Sequence, residues 1–103
     1  MDIQVNKNQL DRVIIKWLNK HYGNLTLKEI SHIPDSVFYV NSKNKEIMDY
    51  TINNKILHVD SEILGSLIDL FKIHEVNVRS IIRKWVYETY DINVDIVLGA
   101  SYY

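Results

Sequence analysis

Cysteine is absent from the 103-residue chain, which excludes a disulfide framework, a thiolate metal site and a thiol nucleophile together. Neither sign of charge is in excess. Twelve Lys and Arg stand against thirteen Asp and Glu, a formal net charge of −1. No long-range field therefore gathers nucleic acid or an acidic membrane, and any such contact must be a local patch. No uninterrupted apolar run approaches the roughly 18 residues that a spanning helix needs, and MDIQVNKNQLDR at the start lacks a basic region followed by an apolar stretch. The chain reads as soluble and cytoplasmic, without membrane contact. Proline occurs once and glycine three times beside fifteen Ile and ten Asn. Well mixed along the chain, these are the marks of AT-rich coding rather than of low complexity, and no internal repeat appears.

What is present makes one small domain, residues 1–103, with 47% hydrophobic and 24% charged residues. Leu10, Val13, Ile14, Trp17, Leu18 and His21 fall at helical spacing on one face of residues 7 to 22. Asn6 with Gln9 resembles a capping box, and Gly23 stands where a left-handed residue would close the helix. Asn24 to Asp35 fits a short edge strand or a loop closed by Pro34. Ser36 to Asp60 reads as an antiparallel meander built on VFYVNS, IMDYTI and KILHVD. A two-residue turn at Asn53-Asn54 sets Tyr50 opposite Leu57 and Met48 opposite Val59, while Asp49 faces His58 on the other side. With a three-residue loop at Lys43 to Lys45, Phe38 and Val40 join Met48 and Tyr50 on the face that meets the helices.

Asp60 or Ser61 caps a second helix reaching Phe71, with Leu64, Leu67, Ile68 and Phe71 inward and Gly65 offering a close helix approach. After a turn near Ile73 and His74, a third helix runs to Tyr90 with Val78, Ile81, Ile82, Trp85, Val86 and Thr89 on one stripe. The two form an αα-hairpin. NVDIVL at 93–98 alternates again, and it adds a strand to a sheet edge of this chain or of a second copy, the basis for a homo-oligomer. The expected class is α+β: an N-terminal amphipathic helix, a three- to four-stranded antiparallel meander and a C-terminal αα-hairpin.

Catalytic motifs are missing, with no GxSxG elbow, P-loop, HExxH or GxGxxG. No catalytic residue, cofactor or metal is assigned. His21, His32, His58 and His74 lie on separate elements without the local spacing of metal ligands. The His58–Asp49 pair is a cross-strand contact worth about 0.2–1 kcal/mol. A small enzyme with a dispersed site stays as one alternative.

The third helix carries a second alternative, a helix-turn-helix-like nucleic-acid binder. Asn77, Arg79, Ser80, Arg83 and Lys84 would stand on its exposed face, with side chains suited to base edges and phosphates. Lys72 stands where such turns usually have Gly, and bulky Ile68 where a small residue is usual. A packed hairpin with a solvated basic face accounts for the same residues. Tyr39, placed with Val37, Ile47 and Ile56 on the less apolar sheet face, makes either a contact patch or a surface covered by another segment.

WLNKHYGNL from Trp17, PDSVFYVNSKNKEIMDY from Pro34, ILHVDSEIL from Ile56 and IIRKWVYETY from Ile81 together resemble a group of small uncharacterised proteins of tailed bacteriophages and environmental viral sequences. The likeness spans most of the chain and rests on packing and turn motifs, so it implies a shared fold. The group has no assigned activity to carry over, and Arg79, Arg83 and Lys84 are more basic than its usual third helix. The resemblance implies a phage origin, and the expected function is that of an accessory protein, in the host cytoplasm or within a virion, that binds a protein: a host factor, a defence component or a virion subunit. The candidate contact residues are Tyr39, His58, Asn77, Arg79, Arg83 and Lys84.

Overall fold

The computed structural model describes residues 7–29 and 35–100. Along the chain run α1 (Lys7–Tyr22), β1 (Thr26–Glu29), β2 (Ser36–Val40), β3 (Glu46–Thr51), β4 (Ile56–Asp60), α2 (Ser61–Phe71), α3 (Glu75–Tyr90) and β5 (Ile96–Ala100). The strands form one five-stranded sheet in the order β1-β2-β3-β4-β5. The first four pair antiparallel, and β5 lies parallel to β4. The class is therefore α+β with a mixed sheet. Two features of the expected arrangement change. The αα-hairpin is not terminal, because it forms the crossover that a parallel β4–β5 pair requires. The last strand also pairs within its own chain, which withdraws the ground for a homo-oligomer through that segment. Asn6, His32 and Pro34 lie outside the described residues.

Strand alternation gives the sheet two unlike faces. Tyr39, Met48 and Val59 follow one another across the inner face, as do Val37, Tyr50, Leu57 and Val97. Met48, Leu57 and Val59 are completely buried, and these rows join one core cluster with Ile14, Leu18, Leu67, Ile82 and Trp85 from the helices. The opposite face carries Lys28, Phe38, Asp49, His58 and Leu98 in one row and Ser36, Thr51, Ile56 and Ile96 in the next.

The β3–β4 register agrees with the sequence pattern, although the connection is longer than two residues. Thr51 pairs with Ile56, and Lys55 takes the left-handed conformation at φ 53. Loops of two and four residues keep the same parity, so the facing pairs survive. At β2–β3 the register is displaced by one residue, a slip that a bulge supplies. The loop is Asn41–Lys45, where the Asn41 side chain accepts from the backbone N–H of Lys43 at 2.9 Å and of Lys45 at 3.0 Å, and Asn44 is left-handed at φ 62. A bulge follows between Tyr39 and Val40. Tyr39, not Phe38, therefore faces the helices, and Phe38 turns to the other side with Asp49.

The helical stripe of α1 is rotated from the expected one. Ile14, Ile15 and Leu18 are buried, Leu10 and Trp17 are partly so, and Val13 is 53% exposed. α3 is the cause, since it packs along the flank bearing Arg12 and Asn19. There the Asn19 side-chain oxygen accepts from the Trp85 indole N–H at 2.9 Å and the Thr89 hydroxyl at 3.0 Å. Gly23 closes α1 without a positive φ. Its role is close approach instead, because a Cβ there would sit 2.4 Å from the Asn19 carbonyl oxygen. Asp60 caps α2 by accepting from the Glu62 N–H at 3.1 Å. The end of α2 is left-handed at Lys72, φ 54, and that of α3 at Asp91, φ 56. Gly65 makes no close helix approach: a Cβ there would have no atom within 4 Å.

Candidate functional site

The inward stripe of α3 is Val78, Ile81, Ile82, Trp85 and Val86, all buried. On a 3.6-residue repeat this turns Val76, Ser80, Arg83 and Tyr87 outward along one line, with Asn77 and Lys84 beside it. The ends of the line are apolar and wet, Val76 at 75% exposed and Tyr87 at 61%. Its centre is cationic. Beneath Arg83 and Tyr87 lies a depression of about 280 Å³, walled by Ser80 and Lys84 and floored by the chain from Ile92 to Val94.

That floor is held by identifiable bonds. Ile92 and Val94 are buried in the core, the Ile92 N–H donates to the Val86 carbonyl at 3.3 Å, and the Asp95 N–H donates to Lys55 at 2.8 Å. The Tyr50 hydroxyl donates to the Asn93 carbonyl at 2.8 Å. Arg83 itself is fixed to the floor, its Nε donating to the Val94 carbonyl at 3.0 Å. The guanidinium has five N–H donors and this contact uses one, so the terminal nitrogens are left for a ligand. Among the described residues, Arg83 and Lys84 have no carboxylate partner.

Arg79 belongs elsewhere. It pairs with Glu75 at 2.6 Å and lines a separate groove of about 530 Å³ with Ser61, Gly65, Ile68 and Gly99. Its Nε is buried and has no acceptor among the described residues. The expected single basic face of α3 is thus divided: Asn77, Ser80, Arg83 and Lys84 lie on the outward side, and Arg79 turns toward α2 and β5.

Tyr39 is removed from the surface by the β2 register. It is 6% exposed and its ring lies 5.2 Å from that of Tyr90. Burial raises the pKa of both phenols, as it does for Tyr22 and Tyr50. The Tyr90 hydroxyl accepts from the Leu25 N–H at 3.1 Å and donates to the Tyr22 carbonyl, so it ties β1's approach to the end of α1. His58 sits on the outer sheet face with its Nδ1 3.1 Å from Asp49, the pairing read from the strand register. Among the described residues, no three His, Asp or Glu side chains gather as metal ligands.

Sequence reading missed Val76, Tyr87 and Asn93. Val76 lies four and seven residues before Ser80 and Arg83, and Tyr87 seven and four residues after them, a signal available in the sequence. Asn93 required the fold, because only the return of the chain along α3 brings it beneath Arg83. Among the described residues no helix is long and apolar enough to cross a membrane. No family model, curated protein or solved structure matches the chain.

Proposed function

We propose that this chain is a phage-encoded accessory binding protein whose outward α3 face docks on an acidic segment of another protein. The observation that carries the reading is the Val76, Ser80, Arg83, Tyr87 line with Lys84 beside it. Exposed apolar and aromatic contacts bracket an arginine that no carboxylate among the described residues neutralises. Tyr and Arg are the residue types that dominate binding energy at protein interfaces, and an aromatic anchor next to a preoriented guanidinium suits an acidic partner. The phage resemblance supplies the partner's class: a host factor, a defence component or a virion subunit. Binding acts by occluding or scaffolding that partner.

A nucleic-acid role uses the same helix with less support. Arg79 is bound by Glu75 away from the outward face, which leaves Arg83 and Lys84 as a pair rather than a basic track.

The test is affinity capture from host lysate with the full chain, run beside Arg83→Glu, Tyr87→Asp and a sheet-edge control, Lys28→Glu. The expected outcome is a captured protein lost with both α3 variants and kept with Lys28→Glu. Capture that ignores both α3 variants defeats the reading. Retention on heparin that depends on Arg83 and Lys84, with no protein captured, transfers it to nucleic acid.

A further inference from the structure

We infer that the depression beneath α3 is a phosphoryl-binding site that takes a phosphorylated side chain of the protein partner; the inference rests on the docking role just described. Arg83 and Lys84 line the depression, Ser80 and Tyr87 bring hydroxyls, Asn93 brings an amide, and no Asp or Glu takes part in its wall. The flanking carboxylates of the loop, Asp91 and Asp95, lie outside the lining. Elsewhere arginines are neutralised, Arg12 by Glu88 at 3.2 Å and Arg79 by Glu75 at 2.6 Å. The Arg83 and Lys84 pair is different because it is uncompensated among the described residues.

Two uncompensated cations call for a doubly charged group. A phosphate monoester carries about −1.5 to −2 near neutral pH and offers three acceptor oxygens, whereas a carboxylate carries a single charge. Arg83 is held by its Nε bond to Val94, which presents the terminal guanidinium nitrogens as the fork that suits phosphate oxygens. The floor is pinned by Tyr50 and by the Asp95 and Ile92 backbone bonds, so little ordering is needed on binding.

Size and charge pattern choose between phosphate sources. At about 280 Å³ the depression falls just below the roughly 300–1,000 Å³ of sites for drug-sized ligands, which is room for one side chain. A nucleic-acid backbone repeats its charge about every 3.4 Å along each strand and is met by a track of cations. Here the cations stop at two, on a chain of net charge −1. An isolated monoester fits better than a run of diesters.

The test is an NMR titration of the full chain with phenyl phosphate, benzoate and a single-stranded oligothymidylate. The expected result is saturable shifts at the amides of Ser80, Arg83, Lys84 and Asn93 with phenyl phosphate, binding at least about tenfold weaker with benzoate, and a similar loss in Arg83→Ala and Lys84→Ala. Because Arg83 also anchors Val94, Lys84→Ala and Ser80→Ala decide the matter if Arg83→Ala unfolds. Absence of saturable shifts, benzoate binding as tightly as phenyl phosphate, or tighter binding of the oligothymidylate each overturns the inference. If phenyl phosphate fails while capture still depends on Arg83 and Tyr87, the phosphoryl site is wrong and the docking role stands. If phenyl phosphate binds as expected without α3-dependent capture, the docking role falls and the pocket's chemistry stands.

Discussion

Among the described residues, four other than glycine hold left-handed backbone: Asn44, Lys55, Lys72 and Asp91. Asn and Asp reach that region with local hydrogen bonding, while a lysine bears the steric cost of roughly 1–2 kcal/mol. Lys72→Gly relieves that strain at the end of α2 and gives back part of it as unfolded-chain entropy, for a net gain of about 0.5–1 kcal/mol in urea unfolding. Gly65 presents the opposite case. It sits inside α2 with open space where a Cβ would go, so Gly65→Ala should stabilise by about 1 kcal/mol in the same measurement. Phenol burial makes a further prediction. Tyr22, Tyr39, Tyr50 and Tyr90 have pKa values raised above 10.0, first by desolvation. The folded state therefore keeps these protons to higher pH than the unfolded state does. Stability should be insensitive to them below pH 9 or so, then fall as pH rises past about 10. Tyrosinate absorbance followed beside unfolding midpoints checks both halves, and a stability that rises through that window refutes the sign. At this scale the sequence was informative where a position has a type: Lys72 was recognisable as standing where glycine is usual, but its left-handed backbone was not.

Between elements, a two-donor polar link joins α1 to α3 through Asn19, whose side-chain oxygen serves both Trp85 and Thr89. Trp85 is fully buried, so Asn19→Ala strands its indole N–H and should cost about 1–3 kcal/mol. Thermal unfolding of Asn19→Ala beside Trp85→Phe and the double variant measures the coupling; additive losses would show that the link contributes nothing of its own. The helices were legible because a 3.6-residue stripe survives small errors of placement. Five of the six residues of the α3 stripe are buried, all but Thr89, and α1 is turned along its contact with α3. The β2 strand was not legible in the same way. One bulge and an Asn41-bonded loop exchange the directions of Phe38 and Tyr39, and a period of two makes every such slip complete. Tyr39 was lost as a contact residue for that reason alone.

For the whole molecule, the determining contact is the parallel pair β4–β5, which no local pattern announces: alternation at the C-terminal end marks a strand without saying where or in which direction it pairs. Its consequence for the site is direct. The chain reaches β5 by passing beneath α3, and that passage puts Asn93 and Val94 under Arg83. Half of the candidate site was therefore readable, the α3 half, and the other half waited on topology. Ending the chain after Asp95 should abolish cooperative unfolding rather than loosen an oligomer, because it removes buried Val97 and uncovers one edge of β4. Circular dichroism melts and light scattering on that truncation separate the two outcomes.

The same crossover sets an order of events during refolding. The hairpins β2–β3 and β3–β4 close over short loops, whereas β5 must wait until α2 and α3 have traversed the sheet, since Ile56 meets Ile96 only then. Pulse-labelled hydrogen exchange should find amides of β3 protected before those of β5. The depression beneath α3 would accordingly be among the last parts of the surface to acquire its shape.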